Sequence, residues 1–194
     1  MKELEIRRQI NHIVWGFIFV GLIYYDLISS AMVFILIIIF FIGSLLSKKY
    51  KLPVIYWFLI KFDRPEDIKN FPGKGAWYYL IGVFLAMVLF PKDIAMASIF
   101  ILALGDSIAP LVGEYGRIKH PLSDKKFLEG TIAGALVAFI GALLFVNYYE
   151  AALAAIIAMV VEGIDLRLGR HPVNDNIIIP VVAGAVIWLL RLII

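Results

Sequence analysis

The chain reads as an all-α polytopic membrane protein with about seven transmembrane helices and one short interfacial helix. Three observations predict this class. Of 194 residues, 62% are hydrophobic and 17% charged, whereas an ordinary soluble domain is about half apolar. The apolar residues gather in runs near the roughly 20 residues that a spanning helix needs, or about 17 in a thin bilayer. The lysines and arginines fall almost entirely on alternate connections, as the positive-inside rule expects.

The runs are Ile10 to Tyr25, Leu27 to Leu46, Gly75 to Phe90, Ile94 to Val112, Gly130 to Val146, Tyr148 to Val161 and Ile177 to Ile194. Pro53 to Ile60, PVIYWFLI, is too short to span and lies between KKYK and KFDR. It reads as an interfacial helix with Tyr56 and Trp57 at headgroup level. With the N-terminus placed inside, sixteen basic residues face the cytoplasm, while Lys92 and Arg191 alone face out. Adding or removing one span would spoil that division, so the expected topology is N-terminus in, C-terminus out. Apolar residues run from end to end without a polar linker, which predicts a single integral domain over 1–194. The net charge of +3 is accounted for by topology and does not argue for nucleic acid as a partner. There is no cysteine, which excludes disulfides and thiol chemistry. The opening MKELEIRRQINH carries acids and precedes no small-residue cleavage site, unlike a removable signal peptide.

This topology brings the polar residues of the later spans to one membrane face. Asp106 lies about two turns before the cytoplasmic end of its span. Glu129 opens the next span, Glu162 and Asp165 close the sixth at a spacing of three, and Asn174 to Asn176 open the last. Ionisable groups at membrane depth are costly and face the bundle interior or a wet cavity. Each has a plainer reading. Asp106 suits a helix-to-helix hydrogen bond, and Glu129 suits the helix dipole or a pair with Lys125. Asn174 or Asp175 suits a helix cap. Their convergence, beside so many basic residues, points to a site for a metal ion and a polyanion.

Several ordered motifs resemble the dolichol kinase and phytol kinase family, membrane enzymes that phosphorylate isoprenoid alcohols, commonly with CTP. LGDSIA at Leu104 to Ala109 looks like that family's G-D-[AS]-x-A motif, and KFLEGT at Lys126 to Thr131 is similar to its K-S-x-E-G-[ST]. VEGID at Val161 to Asp165 resembles its glutamate-bearing helix, and DNIIIPVVAG at Asp175 to Gly184 its D-N-x-x-x-P segment. ELEIRRQINHIVWG at Glu3 to Gly16 resembles the E-x-x-R-[KR]-x-x-H-x-x-x-G opening, which adds Arg8 and His12 to the candidates. GKGAWYYLIG at Gly73 to Gly82 is close to the stretch before the third span. One departure is Glu114, which stands where the family often has a base, so Arg117, Lys119 or His120 must take that role.

The resemblance implies phosphoryl transfer from CTP to an isoprenoid alcohol held in the membrane, with Mg²⁺ as cofactor. That chemistry needs Mg²⁺ on the phosphates, cations to absorb charge, and a group to position the attacking hydroxyl. Asp106 and Asp175 are the expected metal ligands, with Glu162 a third. Lys126, Arg117 and Lys119 would neutralise phosphate, Asn176 would contact the nucleotide, and Gly105, Gly113 and Gly116 would let backbone approach it, although no Walker-type loop is present. Glu129 or Glu162 would take the hydroxyl proton, with Arg8, His12 and Asp165 as further candidates. A CTP-dependent lipid cytidylyltransferase is the alternative, but its K-R motif and late D-R or Q-x-D signature are missing. A transporter should show inverted repeats and broken helices at the midplane, and the sequence shows no convincing repeat.

Overall fold

The computed structural model describes residues 3–164, 167–168 and 171–193. Its elements in chain order are α1 (Glu3–Tyr24), α2 (Ser30–Tyr50), α3 (Pro53–Phe62), α4 (Pro65–Asn70), α5 (Lys74–Leu89) and α6 (Lys92–Phe100). A π-helical segment, Ile101–Asp106, then leads directly into α7 (Ser107–Gly113). After it come α8 (Leu128–Ala142), α9 (Tyr148–Glu162) and α10 (Asp175–Ile193). The only strands among the described residues are the two-residue β1 (Arg167–Leu168) and β2 (His171–Pro172), paired antiparallel.

Helix boundaries follow local chemistry. Ser29 caps α2 by accepting from the Met32 amide, and prolines begin α3 and α4, where their missing N–H costs nothing. Asn147 and Glu150 form a reciprocal capping box at the start of α9.

Each of the seven apolar runs falls on helix, the fourth on α6, the π segment and α7 together, and the short run Pro53 to Ile60 falls on α3. Among the described residues three helices are long and apolar enough to cross a membrane: Ser30–Tyr50, Lys92–Gly113 and Asp175–Ile193. The helices on the other runs are limited in different ways. α5, α8 and α9 have 16, 15 and 15 residues, short of the usual span. α1 has 22 residues, but its first turns carry Glu3, Glu5, Arg7 and Arg8.

The core sits where α6, the π segment, α9 and α10 meet, and small residues make it close-packed. Ala151, Ala154, Ala155, Ala158 and Ala183 are fully buried, and such residues let apolar helices approach closely. The closest approach is at Gly82 on α5, where an added Cβ would lie 2.0 Å from the Asn176 carbonyl oxygen. Pro180 has no N–H to offer that carbonyl four residues earlier, which frees it to lie against α5. Pro110 stands in the same relation to the Asp106 carbonyl.

Candidate active site

Asp106 is the last residue of the π segment, Glu162 the last of α9 and Asp175 the first of α10. One position inside a continuous helix and two helix ends therefore deliver three carboxylates to one point. A carboxylate oxygen from each lies within 4.8 Å of the other two. Glu162 is buried, and Asp106 and Asp175 are partly buried.

A loop brings Lys126 among them. Residues 118–128 fold back so that the Leu128 amide donates to Ile118 O (2.9 Å) and the His120 amide to Lys126 O (2.9 Å). Lys126 Nζ then donates to Glu162 Oε1 (2.7 Å), to the Glu162 backbone carbonyl, and to Asp175 Oδ2 (3.4 Å). Burial works against the ammonium charge, but Glu162 and Asp175 more than offset it and raise the lysine above its ordinary pKa. Among the described residues this lysine is the cation that hydrogen-bonds within the trio. Among the described residues no hydrogen bond or ion pair engages the Asp106 carboxylate.

The donor set fits a hard divalent cation, which takes carboxylate oxygens and retains waters. Two buried oxygens beside the trio in sequence, Ser107 Oγ and Asn176 Oδ1, have no hydrogen-bond partner. Unpaired buried polar atoms call for a water or an ion. Adjoining the trio is a cavity of about 210 Å³, with Gly113, Glu114, Lys125, Lys126, Thr131 and Glu162 in its wall.

The remaining candidates divide between this cavity and the scaffold. Gly113 lines the cavity. Gly105 instead packs against Met159 and Ala138, and Gly116 lies under Phe127, so both serve helix or loop packing. Arg117 and Lys119 are exposed on the loop. Glu129 accepts from the Arg117 amide (2.8 Å) and the Ile118 amide (3.1 Å). Those hydrogen bonds, the Arg117 amide foremost, hold its carboxyl below the usual range. It clamps the loop, and the expected pair with Lys125 does not form. His120 is buried against Gly163. Asn176 Nδ2 donates to Gly75 O (3.3 Å), tying α10 to α5. Arg8 pairs with Glu5 (2.9 Å), which also holds Arg64 (3.3 Å). His12 is buried on α1, and Asp165 lies outside the described residues. Thr131 and Ser107 join the site although the sequence does not single them out; each sits within a quoted motif, KFLEGT or LGDSIA.

The class so defined is a helical membrane protein whose bundle gathers three carboxylates and a lysine at one end. Comparison with known proteins narrows it, since its homologues include CTP-dependent diacylglycerol kinases and phytol kinases, of the polyprenol, dolichol and phytol kinase-like lipid kinases, at modest identity. A CTP-dependent diacylglycerol kinase of Saccharomyces cerevisiae is 25% identical over 93% of this chain and 71% of its own length. A Triticum aestivum protein named "Probable phytol kinase, chloroplastic" is 27% identical over 68% of this chain and 49% of its own. An uncharacterised protein of Methanocaldococcus jannaschii is 28% identical over 94% and 92%. No family model matches the chain, and no solved structure matches it.

Proposed function

We propose that this protein is a CTP-dependent lipid kinase that moves the γ-phosphoryl group of CTP to an isoprenoid alcohol of the dolichol, polyprenol or phytol type, at the cytoplasmic face. The observation that carries the reading is the convergence of Asp106, Glu162 and Asp175 around Lys126, since phosphoryl transfer is mostly positioning and charge stabilisation. The relatives named above support the CTP and lipid parts, and the phytol kinases among them support the isoprenoid acceptor. The seven-span arrangement, N-terminus inside, rests on the match of helices to apolar runs and on the lopsided basic residues.

In this reading Asp106, Asp175 and Glu162 would hold Mg²⁺, which would supply positive charge to the nucleotide phosphates. Lys126 reaches the phosphates from the same point, and the cavity beside it, with Lys125 and Gly113, takes the nucleotide's phosphate end. The acceptor oxygen bonds to the γ-phosphorus as the bond to the β,γ-bridging oxygen breaks, and the electron pair leaves with CDP. The hydroxyl proton passes to Glu162, because Glu129 is engaged by the loop amides.

Purified protein given γ-labelled or α-labelled CTP, with Mg²⁺ and either a polyprenol, phytol, a diacylglycerol or a lipid phosphate, tests this. Lipid label should arise from the γ position alone and only with an isoprenoid alcohol, and chelation should abolish it. Label with diacylglycerol alone would move the acceptor to that of the yeast relative. Label from the α position would establish a cytidylyltransferase instead.

A further inference from the structure

A second cleft, of about 320 Å³, lies between α1, α2, α3 and α5. Exposed Trp15, Leu36 and Ile39 form its mouth, and buried Phe19, His12 and Tyr79 its inner wall. Its size is near the lower end of ligand pockets, about 300 Å³, enough for the head of a lipid while the rest of the tail stays in the bilayer.

At the buried end stands His12, 9% exposed, whose Nδ1 has no hydrogen-bond partner. The ring is not idle for want of order: Tyr79 packs edge-on against it with centroids 5.0 Å apart, and the Tyr79 hydroxyl donates to the His12 carbonyl (3.3 Å). A held, unmatched polar atom in an apolar wall is costly unless a partner arrives with the ligand. A lipid whose one polar group is a hydroxyl supplies such a partner. Position agrees, since Tyr79, on the cleft wall, and Arg8, one turn before His12, are both within electrostatic range of Asp106. Two helices of the cleft wall, α1 and α5, thus carry groups within electrostatic range of Asp106, and the 210 Å³ cavity borders the trio through Lys126 and Glu162. In-line transfer needs its two reactants to meet in that manner.

A groove of similar size, about 300 Å³, runs between α8 and α9. Its one polar liner is Thr131, and none of its side chains holds an unpartnered buried polar atom.

We propose that the α1–α2–α3–α5 cleft seats the acceptor lipid's hydroxyl end, with His12 Nδ1 hydrogen-bonding the alcohol. This rests on the lipid kinase reading, so the test uses a readout that needs no turnover. A short isoprenoid alcohol carrying a diazirine beside its hydroxyl is photolysed with the protein in nanodiscs without CTP, and the label is mapped by mass spectrometry. Label should fall around His12 and Tyr79, be displaced by unlabelled alcohol, and be lost in Ala76→Phe, which fills the cleft, or in Leu36→Trp at the exposed mouth should the first variant fail to fold. In turnover, His12→Ala should raise KM for the alcohol about tenfold and leave KM for CTP unchanged. Label in the α8–α9 groove, or cleft label that neither block nor competitor removes, overturns the proposal. A protein that transfers phosphate yet labels elsewhere refutes the cleft alone, and one that labels in the cleft but transfers nothing refutes the kinase alone.

Discussion

The two ends of α9 use the same kinds of side chain for different purposes. Glu150 and Glu162 lie twelve residues apart, about 18 Å along the helix, and each meets a basic residue. At the Glu150 end Arg191 spends all three of its nitrogens: Nε and Nη2 on Glu150 (2.8 and 3.2 Å) and Nη1 on Asp93 (2.7 Å). Glu150 also closes the capping box with Asn147. That cluster ties α6, α9 and α10 together and leaves little unmet. At the Glu162 end one lysine is shared between two carboxylates, and Asp106, the third, stands within reach but unpaired among the described residues. Reciprocal pairing marks a structural clamp, and three carboxylates drawn together mark a place where a cation is favourable.

The largest test of this contrast is Asp106→Asn, which keeps shape but removes a charge from the trio. Phosphoryl transfer should fall at least about 100-fold, while the unfolding temperature holds or rises because carboxylate repulsion is relieved. An active variant, or one that fails to fold, would make Asp106 a structural residue. Next is Lys126→Met, which leaves the three carboxylates facing each other. It should unfold at a lower temperature in chelator, and Mg²⁺ should restore more of that loss than it adds to the wild type; equal Mg²⁺ responses would count against a cation at the trio. The smallest effect on activity is expected from Glu150→Ala at the clamp. Unfolding in detergent should show a loss of about 2 kcal/mol, with the specific activity of the folded fraction unchanged.

The trio's side of this contrast was legible in the sequence and the clamp's side was not, and the exceptions have physical causes. Hydropathy alone located every long helix, because in a bilayer the run of apolar residues and the helix are nearly the same object. The side assigned to each connection brought Asp106, Glu162 and Asp175 to one end, which the structure shows within 4.8 Å. Helix length was less legible at one place: α9 follows its apolar run to within a residue, but α8 stops at Ala142 rather than Val146 because residues 143–146 leave the helix, which hydropathy cannot sense. The Arg191 clamp was missed, although Asn147 and Glu150 at capping-box spacing were its signal. The place of Lys126 inside the trio depends on how the 118–128 loop folds back, and that pairing has no periodic signature. Glu129 shows the same limit in reverse, since a carboxylate in a promising motif turned out to be held by two loop amides.

The π-helical turn bears on how little genetic change such a site requires. A turn bonded five residues on takes up one residue more than an α turn, so Ile101–Asp106 absorbs an extra residue while α6 and α7 keep the faces they pack. Were the same residues an unbroken α-helix, everything beyond the turn would be rotated by about 100°. Asp106 would then swing away from Glu162, and α7 away from Gly130, against which Gly113 and Ala109 now lie. Between a plain spanning helix and one that aims a carboxylate at its neighbours, the distance is a single codon.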